Sequence, residues 1–329
     1  MKLLKLVPDH TNIHFLKWRV PFYVMSILLM AASIGLVATK GLNLGVDFLG
    51  GQVIRVTFER SPEAPVGQLR EEVDKLGYGE PIIQRFGKAN EISIRMKLPE
   101  GSEKNRELSD AMARKITADI RSHHADARID EVDSVSGKVS GELGRSAMLA
   151  LGLAAICVAI YIWIRFEWQF GVGALFSLVH DVTLTLGMFA LTQLEFDLNI
   201  VAALLTLIGY SLNDTIVVYD RIRENLKKYR RMPMPELLDL SVNETLARTI
   251  VTSLSMLITL VALLVLGPDV IFGFTAAIVL GIFVGTYSSI YMAAPILIWL
   301  GVTGDSFIAT ETAIDKQERL ARERSKPAV

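Results

Sequence analysis

The chain has a single cysteine in 329 residues, Cys157, so no internal disulfide can form. It also lacks an excess of either charge. Thirty-four Lys and Arg stand against 35 Asp and Glu, a net of −1, which argues against nucleic acid as a partner. Charge is missing locally as well. Residues 39–145 hold 17 Lys and Arg and 18 Asp and Glu, so 35 of 69 charges sit in 107 residues. The other 222 residues carry 34, mostly in short clusters between long apolar runs. A chain that is 51% hydrophobic, with mean hydropathy +0.39 and this split, is neither disordered nor one water-soluble domain. No nucleophile, metal-ligand or phosphate-binding constellation appears. An enzyme is therefore the weakest class, and no metal or organic cofactor is expected.

What is present is lipid-compatible length. A spanning helix needs about 20 mostly apolar residues, and six stretches qualify: 20–38, 146–164, 170–191, 198–219, 249–266 and 271–300. The first follows Lys2, Lys5, Lys17 and Arg19. Its apolar run is longer than a signal-peptide core and lacks a small-x-small site, so it reads as an uncleaved anchor. Basic residues cluster in three places. Residues 1–19 carry four, the expected loop 220–248 carries seven including Arg248, and the tail 301–329 carries five between Lys316 and Lys326. The turns at 192–197 and 267–270 carry none. Six spans put all three basic segments on one side, the cytoplasm, with both termini there and the insert 39–145 outside.

The insert reads as an α/β unit. Ile54, Val56 and Phe58 alternate with Val53, Arg55 and Thr57 as in a strand, and Val66, Leu69, Val73 and Leu76 form a helical stripe after Pro65. Strands at 82–86 and 92–97 flank a turn at 87–90. A helix capped by Ser102 carries Leu108, Met112, Ile116 and Ile120, and a strand at about 128–136 follows. The order β-α-β-β-α-β is ferredoxin-like. Its interleaved charges read as a solvated surface, and the adjacent His123 and His124 make a poor metal pair.

Charge within a lipid span costs at least about 2.5–3.5 kcal/mol at its centre, so each case requires a reason. Asp214 lies in Gly209-Tyr210-Ser211-Leu212-Asn213-Asp214-Thr215, roughly 7–8 Å inside the end marked by Asp220. Taken out of water, its carboxyl favours the neutral form. That suits a group that alternately holds and releases a proton, or equally a packing residue. Arg248, Thr252 and Ser255 share one polar face of span 5, and Arg248 is either the modulator of Asp214 or a snorkelling anchor. His180 and Asp181 sit adjacent in span 3. Asp181 fits a hydrogen-bond partner as well as a relay, and His180 leans toward packing. Gly281 and Gly285 in span 6 permit close helix contact.

Together these residues resemble the SecF branch of the SecD/SecF family of protein-export membrane proteins, in the RND superfamily. The resemblance is carried by Gly45-Val46-Asp47-Phe48-Leu49-Gly50-Gly51 after span 1 and by Gly209-Tyr210 to Asp214-Thr215 running into Asp220-Arg221. Asn243-Glu244-Thr245 and Arg248-Thr249 add to it. It implies a polytopic six-helix half of an RND-type bundle with a periplasmic domain in the bacterial inner membrane. The implied partner is SecD, in an accessory complex of the SecYEG translocon. Contacts with YajC, YidC, SecA, a translocating preprotein and membrane lipid are also implied. The implied coupling ion is the proton, with Asp214 as its membrane-embedded aspartate, Arg248 as partner, and Asn213, Thr249 and Asp181 beside them. Gly45, Asp47, Gly50 and Gly51 are implied to couple the insert structurally to the bundle. A small-molecule exporter half and a non-conducting scaffold are the competing readings.

Overall fold

The computed structural model describes residues 8, 11–85, 87–98 and 106–303. The basic tail, Lys2, Lys5, Phe86 and the expected cap Ser102 lie outside the described residues. A 3-10 turn, Phe15–Trp18, leads into α1, Arg19–Lys40. A short helix α2, Val46–Leu49, precedes β1, Gly51–Phe58. Next come α3, Val66–Lys75; β2, Ile82–Arg85; β3, Glu91–Met96; α4, Arg106–His123; and β4, Ala127–Val135. The chain then stays helical: α5, Gly137–Arg165; α6, Trp168–Thr192; α7, Leu198–Lys228; α8, Met234–Leu266; and α9, Phe272–Ser288. A π-helical turn, Ser289–Ala293, joins α9 to α10, Ala294–Trp299. Among the described residues six helices are long and apolar enough to cross a membrane, the last running from Phe272 to Trp299.

The bundle packs around α6, α7 and α9. Phe170, Tyr219, Ile222, Leu238 and Leu297 fill its core near the basic end, and Phe189, Ile200, Leu204, Ile278 and Ile282 fill it near the insert. Helix α5 stays outside, exposing Leu149, Leu153, Ile156, Trp163 and Ile164, as a helix facing lipid would. The segment 220–248, expected to be a loop, is helical except for a turn at 229–233. Ile222, Leu226, Leu237, Leu238 and Val242 recur at helical spacing and are buried, so apolar burial overrides the seven basic charges there.

The insert forms a four-stranded antiparallel sheet in the order β2-β3-β1-β4, the strand order of a ferredoxin-like unit. Ile54, Val56, Phe58, Ile92 and Ile94 cover one face under α3 and α4 through Leu69, Val73, Met112, Ile116 and Ile120. The opposite face is not solvated as expected. Arg55, Ser93 and Arg95 are buried, because the turn between α6 and α7 supplies a countercharge: Glu195 lies 3.7 Å from Arg55 and 3.8 Å from Arg95. Arg95 also donates to the carbonyl of Leu44, to Asn43 and to Gln84 at 2.8–3.0 Å. A cavity of about 130 Å³ lies between this face and the bundle.

Candidate functional site

Asp214 sits on the buried side of α7 at 8% exposure. Its two oxygens are met from two helices by hydroxyls. Thr249 of α8 donates to Oδ1 at 2.7 Å, and Ser289 at the end of α9 donates to Oδ2 at 2.6 Å. Ser289 has a second acceptor, the carbonyl of Thr286, at 3.0 Å. A serine hydroxyl is donor and acceptor at once. An ionised Asp214 therefore receives two hydrogen bonds. A protonated Asp214 can donate to Ser289, whose own hydrogen turns to Thr286, and no group is left unpaired. Tyr210 extends the polar line by donating to Ser253 at 3.1 Å, and Ser253 lies 2.8 Å from Thr286.

Asp181 forms a second centre on α6, fully buried beside fully buried His180. Its Oδ1 is 2.9 Å from His180 Nδ1, and its Oδ2 accepts from Ser211 of α7 at 2.5 Å and Ser288 of α9 at 2.9 Å. Close packing makes this geometry: Gly285 has Ser211 and Asp181 against it, and a side chain at Gly281 would overlap Leu207.

Not every expected residue joins these centres. Thr249 does, as a direct partner of Asp214. Arg248 is exposed, and among the described residues its side chain forms no ion pair or hydrogen bond. Asn213 is exposed on the opposite side of α7 from the core. Gly209 is exposed too, and a side chain there would meet nothing within 4 Å. Arg248 and Asn213, both implied beside Asp214, thus lie on the bundle's outer face, because successive residues of a helix diverge by about 100°.

The residues after α1 have a specific mechanical role. Gly45 N–H donates to the Phe196 carbonyl at 2.9 Å, and Asp47 Oδ2 accepts from the N–H of Leu198 at 2.9 Å. Asp197 accepts from Ile200 N–H at 3.1 Å. Two carboxylates thus cap the N-terminus of α7, the helix carrying Asp214, and one of them belongs to the connector into the insert. Burial holds the Asp197 carboxyl above the usual range, partly offset by its bonds from Ile200 and Asn199. Gly50 and Gly51 have φ of +70° and +127°, and a Cβ on Gly51 would lie 2.7 Å from the Met96 carbonyl.

Sequence reasoning missed Ser211, Ser288, Ser289 and Glu195. The available signals were the Ser288-Ser289 pair in span 6 and the place of Ser211 in the motif that carries Asp214. In the insert, Glu72, Asp119 and His123 bring ligand-type atoms within 4.8 Å of one another. His124 lies 3.0 Å from Glu72.

Residues 115–303 match the family described as protein export membrane protein SecD/SecF, C-terminal, and residues 35–62 match the SecD/SecF GG motif. The chain belongs to the SecD/SecF family. A relative named protein translocase subunit SecF, from Rhodobacter capsulatus, is 44% identical over 308 residues, covering 91% of this chain and 92% of that one. The SecF subunit of Vibrio alginolyticus is 39% identical over 301 residues, with 91% and 93% covered. The crystal structure of SecDF from Thermus thermophilus, described as a translocon-associated membrane protein, superimposes with a TM-score of 0.78 at 35% identity. It covers 90% of this chain and 39% of that one, so this chain spans about two fifths of the SecDF polypeptide. The GG-motif match contains the two left-handed glycines and Asp47, the residue that bonds the connector to α7.

Proposed function

We propose that this chain is the proton-coupled half of a SecD–SecF complex that assists the SecYEG translocon. The complex would use the proton-motive force to draw preproteins across the bacterial inner membrane. Both termini and the seven basic residues of 220–248 face the cytoplasm, and the insert faces the periplasm. YajC, YidC and SecA belong to the same expected neighbourhood, and the proton is the coupling ion.

The observation that carries this reading is a buried carboxylate bridged by two hydroxyls from two other helices, with no cation on it among the described residues. Protonation changes the local charge from −1 to 0, and in a low-dielectric interior that change weighs heavily. Because Thr249 sits on α8 and Ser289 opens the π turn that follows α9, a changed preference at Asp214 pulls on both elements. The Asp47 cap ties α7 to the insert, so helix movement has a path to the domain. Arg248, one residue before Thr249 on the outer face, modulates the carboxylate when it swings inward.

Proton flux through vesicles containing the reconstituted SecD–SecF complex tests the reading. Asp214→Asn is expected to abolish flux and proton-dependent export while leaving the complex assembled. Arg248→Met should give a similar but weaker loss. Normal export by Asp214→Asn overturns the reading. A drug-sensitivity phenotype without an export defect would favour an exporter half. Full activity of both variants would favour a scaffold.

A further inference from the structure

The bundle buries a second ionisable centre that the proton step at Asp214 does not use. His180 and Asp181 are both fully buried. Beyond their mutual contact, the other imidazole nitrogen, Nε2, lies 2.7 Å from Tyr287 Oη on α9, and Tyr287 Oη lies 2.6 Å from Ser26 Oγ on α1. This is an unbroken line of exchangeable hydrogens from α1 to Asp181. Maintaining a charged pair in an apolar bundle is costly, and packing alone does not require one.

The centre is wired to Asp214 twice. Ser288 donates to Asp181, and the next residue, Ser289, donates to Asp214. On α7, Ser211 donates to Asp181 one helical turn before Asp214 itself. Ser289 also opens the π-helical turn, a register change that recurs at functional sites. We propose that the His180–Asp181 pair is a second proton-holding station, read out to Asp214 through the adjacent hydroxyls Ser288 and Ser289. This rests on Asp214 being the proton-carrying carboxylate.

The transfer balances atom by atom. In the empty state His180 Nδ1–H donates to Asp181, Tyr287 O–H donates to Nε2, and Ser26 O–H donates to Tyr287. A proton delivered to the buried hydroxyl of Ser26 releases that hydroxyl's own hydrogen to Tyr287. Tyr287 gives its own to Nε2, and an imidazolium–carboxylate pair results. No hydrogen bond is lost; the Ser26–Tyr287–His180 line reverses direction. The pair's net charge goes from −1 to 0, and the Ser288 and Ser211 hydroxyls on Asp181 are held less strongly. Ser288 can turn its hydrogen to the Gly285 carbonyl at 3.2 Å, which releases Asp181 beside the hydroxyl that holds Asp214.

Few other titratable groups bear on this pair. On α9 it is Tyr287, with a second phenol, Tyr291, in the following π turn. On α7 they are Asp214 and Tyr219, the latter bonded to the Ala293 carbonyl. Helix α1 brings Tyr23, bonded to the Met292 carbonyl. The Cys157 and Tyr161 side chains of α5 are exposed.

The test uses the reconstituted complex. Proton flux is measured across pH, and the carboxyl stretching band of Asp214, assigned by its loss in Asp214→Asn, is titrated by infrared difference spectroscopy. His180→Gln keeps a donor and an acceptor but cannot take up a proton. It is expected to move the Asp214 midpoint by about one pH unit or more and to cut flux roughly tenfold or more. Tyr287→Phe should move the midpoint in the same direction. An unchanged midpoint and flux profile in assembled His180→Gln overturns the proposal. If His180→Gln does not assemble, an unchanged profile in Tyr287→Phe overturns it instead. Normal flux in Asp214→Asn sinks the parent reading, a result separable from either of these.

Discussion

The insert and the bundle solve the same electrostatic problem in opposite ways. In the insert a charge is answered by a charge: Arg55 meets Glu131, Arg85 meets Glu63, and Arg128 meets both Glu59 and Asp130. In the bundle, among the described residues, Asp214 is answered by hydroxyls alone, and Asp181 by hydroxyls and one imidazole. The exposed pairs, those of Arg85 and Arg128, contribute little each. A permanent cation against a buried carboxylate would be worth about 4 kcal/mol at 4 Å for an effective dielectric of 20, enough to keep the carboxylate ionised. A hydroxyl serves both protonation states. A salt bridge would favour the ionised form alone.

The most damaging change imposes the insert's rule on the bundle. Thr249→Lys places a fixed cation against Asp214 and is expected to abolish proton flux in reconstituted vesicles; flux at native levels would contradict the contrast. Gly51→Ala strikes the joint between the two regions. With φ at +127° and the Met96 carbonyl in the way, it should lower the stability of the insert by about 3 kcal/mol, measured by thermal unfolding. Glu195→Gln removes the countercharge to Arg55 and Arg95 where the regions touch. Arg95 keeps its bonds to Leu44, Asn43 and Gln84, so the expected loss is about 2 kcal/mol. Faster amide exchange in β1 and β3 would report it.

The smallest effect concerns Asp197, whose carboxyl burial holds above its ordinary value. A folded value above the unfolded one means that its stabilising contribution is full below about pH 4 and is lost as pH rises through the folded value. Asp197→Asn retains a capping oxygen and does not titrate. Melting temperatures across that window should flatten, by an amount under about 1 kcal/mol.

Much of this architecture is legible in the residues. Six apolar stretches and the alternation of Ile54, Val56 and Phe58 stand out locally, as does Asp214 against a nearly uncharged background. Its partners do not, because serine and threonine are ordinary in spanning helices; only the packing of α9 on α7 gives Ser289 its role. The burial of Arg55 and Arg95 is equally hidden, since their countercharge, Glu195, is contributed from beyond another two spanning helices. The helicity of 220–248 was readable in Ile222, Leu226, Leu237 and Val242 but was masked by the basic cluster. Arg248 shows the limit in the other direction: nearness in sequence to Thr249 does not bring its side chain to the carboxylate.

The insert's attachment has one further consequence. The chain enters it through Gly51 at the start of β1 and leaves through Val135 at the end of β4, and these residues face each other in the same ladder. Ser136 alone separates that strand from α5, and it caps the helix through Val139 N–H. A one-residue slip of this ladder would turn every side chain of the strand to the wrong face. Entry and exit are thus pinned side by side in one ladder, and a tilt between α1 and α5 is expected to reach the sheet rather than be lost as sliding of its two stems.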